Sequence, residues 1–388
     1  MNAQADILIV GGGPVGATLA LALKDSGLDV CLLEARAEVG RSSDPRALAL
    51  SYGSMLLLRR LGVWQRIGAQ TPIANIHVSQ RGGFGRALLQ ATDENLPAFG
   101  WVVDYTALDA ALHETLRTTS GIRYLTGATV KSVHATAESA SAEFEQGGNT
   151  QHLDTKLLVL ADGGHSLAES LGISRKTREY GQNALVANVT IALPQQNTAY
   201  ERFTPEGPMA LLPTVEGYAL VWTVSPEKAQ QLCDLDDAAF LAKLYEHFGG
   251  RLGRFTHVGR RAHFPLALRY TRPVTAPHVA LVGNAAQTLH PVAGQGFNLG
   301  LRDAWEFATE ILHTPTAEIG GKNMLKSYRN RRRLDSNATM LMSDLLVRGF
   351  SNEWPLVGGA RGALLSAMDV LPPLKSAFAR RMIFGARG

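Results

Sequence analysis

Four apolar residues, Ile7 to Val10, run straight into Gly11-Gly12-Gly13-Pro14-Val15-Gly16, and helix-forming residues follow from Ala17 to Lys24. Few features leave a chain so little choice. The apolar run is short, as a buried parallel strand is. The glycines are spaced G-x-G-x-x-G. Gly11 permits a tight turn, Gly13 lets the backbone approach a pyrophosphate, and Gly16 lets the helix pack closely on the strand. Gly27 closes the helix, and Val30 to Leu33 forms a second apolar strand ending at Glu34. The unit is strand–helix–strand. Unpaired N–H groups at the helix N-terminus carry partial positive charge toward phosphates, and Pro14 and Val15 in the turn count among the cofactor-binding residues. Glu34, with Ala35 and Arg36 behind it, offers an acceptor to ribose hydroxyls. These residues predict dinucleotide binding. An acid at position 34 repels a 2′-phosphate, which disfavours NADP in this site and leaves NAD and FAD open.

Two further stretches bear on that choice. Leu157 to Leu160 reads as a third buried strand, and Asp162-Gly163-Gly164 follows it at the carboxyl edge of the sheet, where open α/β folds bind ligands. A plain Asp-Gly turn is the other reading. Val279 to Val282 is a fourth short strand. After it come Gly283-Asn284-Ala285-Ala286, His290-Pro291 and Gly294-Gln295-Gly296-Phe297-Asn298, with a helix from about Leu299. Glycines 294 and 296 let backbone N–H groups face a ligand. A reduced flavin is anionic around N1 and the C2 carbonyl, and a helix N-terminus aimed there stabilises it. Nicotinamide has no comparable anionic ring, so the reading is FAD.

The 388 residues are long for a single core. Helical spacing appears from Leu48 to Leu61, Tyr105 to Leu116, Phe240 to Phe248, Leu301 to Leu312 and Ser327 to Leu346. Asn183 to Leu193, Gly207 to Pro213, Tyr218 to Val224 and Arg260 to Leu266 read as an antiparallel sheet. The expected organisation is discontinuous. Residues 1–75, 100–180 and 272–345 form the dinucleotide domain, 76–99 and 181–271 a β-rich substrate domain, and 346–388 a helical tail. Two cysteines, Cys31 and Cys233, support neither a disulfide framework nor a metal site. A net charge of +4 is no nucleic-acid signature. Arg329, Arg331, Arg332 and Arg333 read as a solvated helix face or a contact with phosphate or anionic lipid. No signal peptide or membrane span is expected, which suits the cytoplasm.

In order and separation, the three motifs resemble the single-component FAD-dependent aromatic hydroxylases along nearly the whole chain. More narrowly, "VGNAAQTLHPVAGQGFNLGLRD", "DPRALALSYGS" and "GPMALLPTVEGYALVWT" are similar to the ring hydroxylases of ubiquinone biosynthesis, and within them to the 2-polyprenyl-6-methoxyphenol hydroxylases. The resemblance implies an α/β fold of the p-hydroxybenzoate hydroxylase type. That fold joins a Rossmann-like FAD domain, an inserted antiparallel substrate domain and a helical C-terminus.

The resemblance also assigns residues. Gly11, Gly13 and Gly16 hold the pyrophosphate, and Glu34 the adenosine ribose. Arg46 lies near the cofactor, and Asp162 and Gly163 belong to a motif implicated in FAD and NAD(P)H binding. Asn284 meets the ribityl chain, and Gly294 to Asn298 cradle the flavin. Where relatives carry Gly-Asp, Ala-His and two arginines, this chain has Gly283-Asn284, Ala286-Gln287, Glu169 and Tyr105.

The implied reaction has NADPH or NADH, bound transiently, reduce FAD. O2 adds at C4a, and the hydroperoxide hydroxylates a polyprenylated phenol. No metal takes part. His290 is the candidate to orient the phenol or take its proton, or else it supports the backbone beside Pro291. Phe203, Phe264 and Trp222 are candidates for the pocket wall. The tail after Trp354 is a possible peripheral surface toward the inner membrane face or a ubiquinone-synthesis complex, or a helix packed on the body. A hydroxylase of a soluble aromatic or polyketide, a saturating flavin reductase and a non-catalytic flavin-binding subunit remain alternatives.

Overall fold

A computed structural model describes residues 3–40, 44–164, 166–290, 294–350 and 355–385. Its first layer is a sheet in which Val279–Leu281, Asn149–Leu160, Ala3–Val10, Val30–Glu34 and Ile122–Thr126 lie side by side and parallel. Ile7 stands opposite both Leu157 and Val30. The run Ile7–Val10 is apolar throughout because both faces are covered. Ile7 and Ile9 pack with residues of the helices Pro14–Ala22, Tyr105–Thr118, Gln295–Leu312 and Lys322–Phe350. Leu8 and Val10 pack with the antiparallel pair Ala128–Ala135 and Ala140–Gln146.

A second sheet runs in the order Gln287–Thr288, Ala262–Thr271, Arg175–Ile191, Gly217–Val224, Gly207–Thr214, Thr198–Thr204, Asn75–Gln80 and Arg86–Gln90, and Phe255–Val258 also pairs with Arg175–Ile191. One face carries Leu185, Leu211, Tyr218 and Trp222 against the helices Pro226–Asp234 and Asp237–Phe248. The other face bounds a large cavity. A small third sheet joins Ala47–Ser51, Gly100–Asp104 and Thr71–Ile73. The helices Pro355–Val370 and Pro372–Phe384 close over the far edge, where Leu365 and Ile383 pack with Leu89 and Phe203. Among the described residues, no helix is long and apolar enough to cross a membrane.

Several elements differ from the sequence reading. The first residues of the Leu48–Leu61 stretch are strand, not helix. Ala47–Ser51 pairs with Gly100–Asp104, and the helix Tyr52–Arg60 starts where the Ser51 hydroxyl accepts from the Ser54 N–H at 3.2 Å. Short apolar runs do not distinguish the two periods, and a distant partner decides. The helix placed at about Leu299 begins at Gln295. Strand Thr198–Thr204 and helix Pro226–Asp234 were not expected. Arg332 leaves the solvated arginine face: it is buried and donates to Asp303 at 2.7 Å.

Candidate active site

The carboxyl ends of the central strands meet the N-terminus of Pro14–Ala22. Gly11 has a φ of 103°, and a Cβ there would lie 2.6 Å from the Ala161 carbonyl oxygen. A Cβ on Gly16 would run into the Gly11 carbonyl. Gly13 is different, because a Cβ there meets nothing within 4 Å. The tight turn therefore leaves bare backbone beside open space at a helix N-terminus. No side chain caps that end, so its N–H groups face outward for an anion.

Glu34 is buried at the end of its strand, with Oε2 against Gly12. Its Oε1 accepts from the Arg36 N–H at 2.8 Å and from Arg36 Nε at 2.9 Å. Asp109 accepts from the Arg36 guanidinium at 3.3 Å, and His113 bridges that guanidinium (3.1 Å) to the Tyr124 hydroxyl (2.6 Å). The acid is held in one orientation, as a ribose contact needs. Ala35 is exposed beside it. Arg46 pairs with Asp44 at 2.8 Å and lies 5.6 Å over the Tyr105 ring.

At the second motif, Asp162 Oδ1 accepts from the Gly164 N–H at 3.1 Å. Arg175 donates to the carbonyls of Gly164 (2.6 Å) and Asn284 (3.1 Å). It thereby ties the second motif to the third, while Glu169 is exposed. At the third, Gly294 caps the helix Gln295–Leu312 with a φ of 62°. The Asn298 side chain is used on all sides. Its Oδ1 accepts from the Ser51 N–H (2.8 Å) and Ser54 Oγ (2.7 Å), and its Nδ2 donates to the carbonyls of Ala49 (2.9 Å) and Gly294 (2.8 Å). Gln295 donates to the Met382 carbonyl at 3.3 Å, which fixes the loop to the last helix. Gly283 lies against Val15, where a Cβ would come within 2.9 Å of that side chain. Gln287 turns inward, donating to Asp303 at 3.1 Å and accepting from Ser336 at 2.6 Å.

All three motifs open on one cavity of about 1520 Å³. Gly11, Gly13, Pro14, Val15, Glu34, Ala35 and Arg36 line one end of it. Arg46, Asp162, Gly163, Asn284 and Gly294 to Asn298 line it as well, but Gly16 and Gly283 pack behind the wall. His290 is not in the lining. It is 1% exposed, stands edge-on to Tyr180 at 5.3 Å, and burial pulls its pKa down to about 4. Pro291 lies outside the described residues. Phe203 and Phe264 line the cavity; Trp222 does not, because it is packed on Phe240 and His247 on the other face of the sheet. The sequence reading passed over Glu201 and Arg175. The former is a carboxyl whose neighbours across the sheet, Val78, Ala210, Val221 and Val186, are apolar, and only the strand's pairing partners reveal which way it points.

The bare turn at Gly13, the fixed acid at Glu34 and the helix N-terminus at Gly294 fit a flavin dinucleotide. A family model described as an FAD binding domain matches residues 4–343. The chain belongs to the FAD-dependent aromatic hydroxylases. Members with the same span include the ubiquinone hydroxylase UbiL of Rhodospirillum rubrum, 34% identical over 97% of this chain and 89% of the relative. The 3-demethoxyubiquinol 3-hydroxylase of Escherichia coli is 31% identical over 96% of this chain and 97% of its own. The crystal structure of the p-nitrophenol 4-monooxygenase PnpA from Pseudomonas putida DLL-E4 superposes with a TM-score of 0.81, at 18% identity and full coverage of both chains. This hydroxylase thus has the α/β fold of the p-hydroxybenzoate hydroxylase type, uses FAD and NAD(P)H, and is related to the ubiquinone-ring hydroxylases.

Proposed function

We propose that this hydroxylase acts on the ring of a polyprenylated phenol in ubiquinone biosynthesis, of the 2-polyprenyl-6-methoxyphenol kind. One observation carries the reading: the cavity does not end at the flavin cradle. It continues between the second sheet and the C-terminal helices, past Phe203, Leu365, Met368 and Phe378. Beyond the residues that seat the cofactor, this apolar length suits a prenyl chain. The likeness to quinone hydroxylases supports a quinone precursor.

In this reading Gly13 and the N–H groups of Pro14–Ala22 hold the pyrophosphate of FAD, and Glu34 the ribose. Arg46, Asp162, Gly163 and Asn284 lie along the cofactor, and the turn from Gly294 to Asn298 faces its ring. Bound FAD supplies the activation of O2 by electrons from NAD(P)H. The protein's part is to orient the phenol and keep water out. Asn298 fixes the cradle, the tail helices roof the chamber, and His290, neutral and buried, supports the loop from behind.

Val370 and Leu371 are 73% and 51% exposed at the junction of the two roof helices, with Leu364 and Leu374 also exposed. This surface suits a cytoplasmic protein that meets the inner membrane face, where a prenylated phenol resides. The test is product formation per NAD(P)H consumed. A farnesylated phenol should couple oxidation to hydroxylation, whereas a small hydroxybenzoate should give mostly H2O2. The reverse preference would establish a soluble aromatic substrate instead.

A further inference from the structure

Along the strand Thr198–Thr204, alternate residues Ala199, Glu201 and Phe203 line the cavity. Ala199 clusters with Leu212 and Ala49, and Ala49 in turn lies against Gly294 of the flavin cradle. Phe203 clusters with Leu365 and Ile383 of the tail helices. Glu201 therefore stands between the cradle and the apolar channel, where the head of a prenylated ring has to lie. Its neighbours across the sheet are Val78 on one side and Ala210, Val221 and Val186 on the other, and all of these line the cavity.

The Glu201 carboxyl has no hydrogen-bond or ion-pair partner among the described residues, and burial alone pushes its pKa up to about 8. The surrounding charges are engaged elsewhere. Tyr200 and Arg202 alternate to the opposite face, toward His77, Arg251 and Arg81. From the helices above, Asp369 accepts from the Leu88 N–H, Lys375 pairs with Asp93, Arg380 with Glu94 and Asp344 with Arg178. Strand Gly207–Thr214 carries no titratable group. Glu34, Arg36, Arg46 and Asp162 line the dinucleotide end, and Lys131 and Arg260 are exposed.

We propose that Glu201 is a catalytic residue that accepts the hydrogen of the substrate's phenolic hydroxyl and takes that proton as the ring is hydroxylated. The inference rests on the phenol reading given above. The carboxylate removes the O–H proton while the ring carbon forms its new C–O bond, so the lone pair left on oxygen feeds the ring. When that carbon sheds its own hydrogen as a proton, the ring becomes aromatic again. The carboxyl then returns its proton to the phenolic oxygen and ends as it began. The oxygen atom comes from O2, whose O–O bond breaks as the C–O bond forms. The other oxygen takes the proton shed by the ring carbon and leaves as water. NAD(P)H supplies the two electrons, and the activity already uses all of these.

Two readouts on the FAD-loaded protein test this, with 2-farnesylphenol and its methyl ether as probes. The first is turnover. In the wild type kcat rises with pH through about 8, as Glu201 ionises. Glu201→Gln lowers kcat by about 10²–10⁴-fold and flattens that limb, whereas Glu201→Asp keeps it. The second is binding to the oxidised protein, read from flavin absorbance. Above that pH the wild type favours the phenol over the ether by about tenfold or more, and Glu201→Gln does not. A Glu201→Gln protein with wild-type kcat and pH profile overturns the assignment, as does equal binding of phenol and ether by the wild type. Discrimination without any product would keep Glu201 as the phenol contact and refute hydroxylation of this substrate. Product without discrimination would do the opposite. Flavin content of both variants separates either result from misfolding.

Discussion

Gly13 and Gly16 lack side chains for different reasons, and single substitutions separate them. A methyl group on Gly13 enters open space, so Gly13→Ala should leave the apoprotein within about 1 kcal/mol of the parent. It should nevertheless weaken FAD binding by tenfold or more, because the methyl stands where the pyrophosphate must approach. A methyl group on Gly16 collides with backbone that cannot move, so Gly16→Ala should cost roughly 1–3 kcal/mol or more, even without cofactor. Thermal unfolding of the two apoproteins and flavin titration of each would check the contrast. His290 illustrates a limit at this scale. A histidine-proline pair beside a glycine-rich loop reads as a group with access to the ring, yet the imidazole turns inward onto Tyr180 and is held neutral. Its direction depends on the packing of strand Arg175–Ile191, which local sequence does not encode.

Asn298 is the residue on which the cradle depends as an element. Three hydrogen bonds join the start of one helix to the strand Ala47–Ser51 and the helix after it, and a fourth ties Asn298 back to Gly294 at its own helix start. Asn298→Ala would strand the buried Ser51 N–H and the Ala49 carbonyl, at roughly 1–3 kcal/mol for each unsatisfied group. A lower melting temperature together with weaker flavin retention is the expected result, and calorimetry with and without FAD measures both. The glycine-rich elements were legible in the sequence because their chemistry is local: turn, helix start and acid all fall within one strand–helix–strand unit, Ile7 to Glu34. Strand Thr198–Thr204 was not. A polar residue alternating with apolar ones ordinarily marks a solvent face. Here the tail helices, more than 150 residues later in the chain, cover that face and turn Glu201 into an interior group. Arg175 escaped notice for a similar reason, because the cation that braces the Asp-Gly turn comes from the neighbouring strand and not from position 169.

Across the whole molecule, one cavity joins parts that the fold draws from distant segments, and its roof is built last. Removing the helices Pro355–Val370 and Pro372–Phe384 should leave the dinucleotide end intact and open the chamber to water. The truncated protein should bind FAD with a modest loss, because Gln295 no longer meets Met382, and most of its NAD(P)H oxidation should yield H2O2. A peroxide assay run beside product analysis checks this, and unchanged coupling would count against the roof. The interleaving also has a temporal side. Residues near 11, 34, 162 and 284–298 must all be present before the cradle exists. At about 5–20 residues per second, a ribosome needs roughly 15–60 s to reach the last of them. For about three-quarters of its synthesis, then, the nascent chain has no complete seat for its prosthetic group, and flavin loading must wait for the last quarter, when the sheet has already chosen its partners.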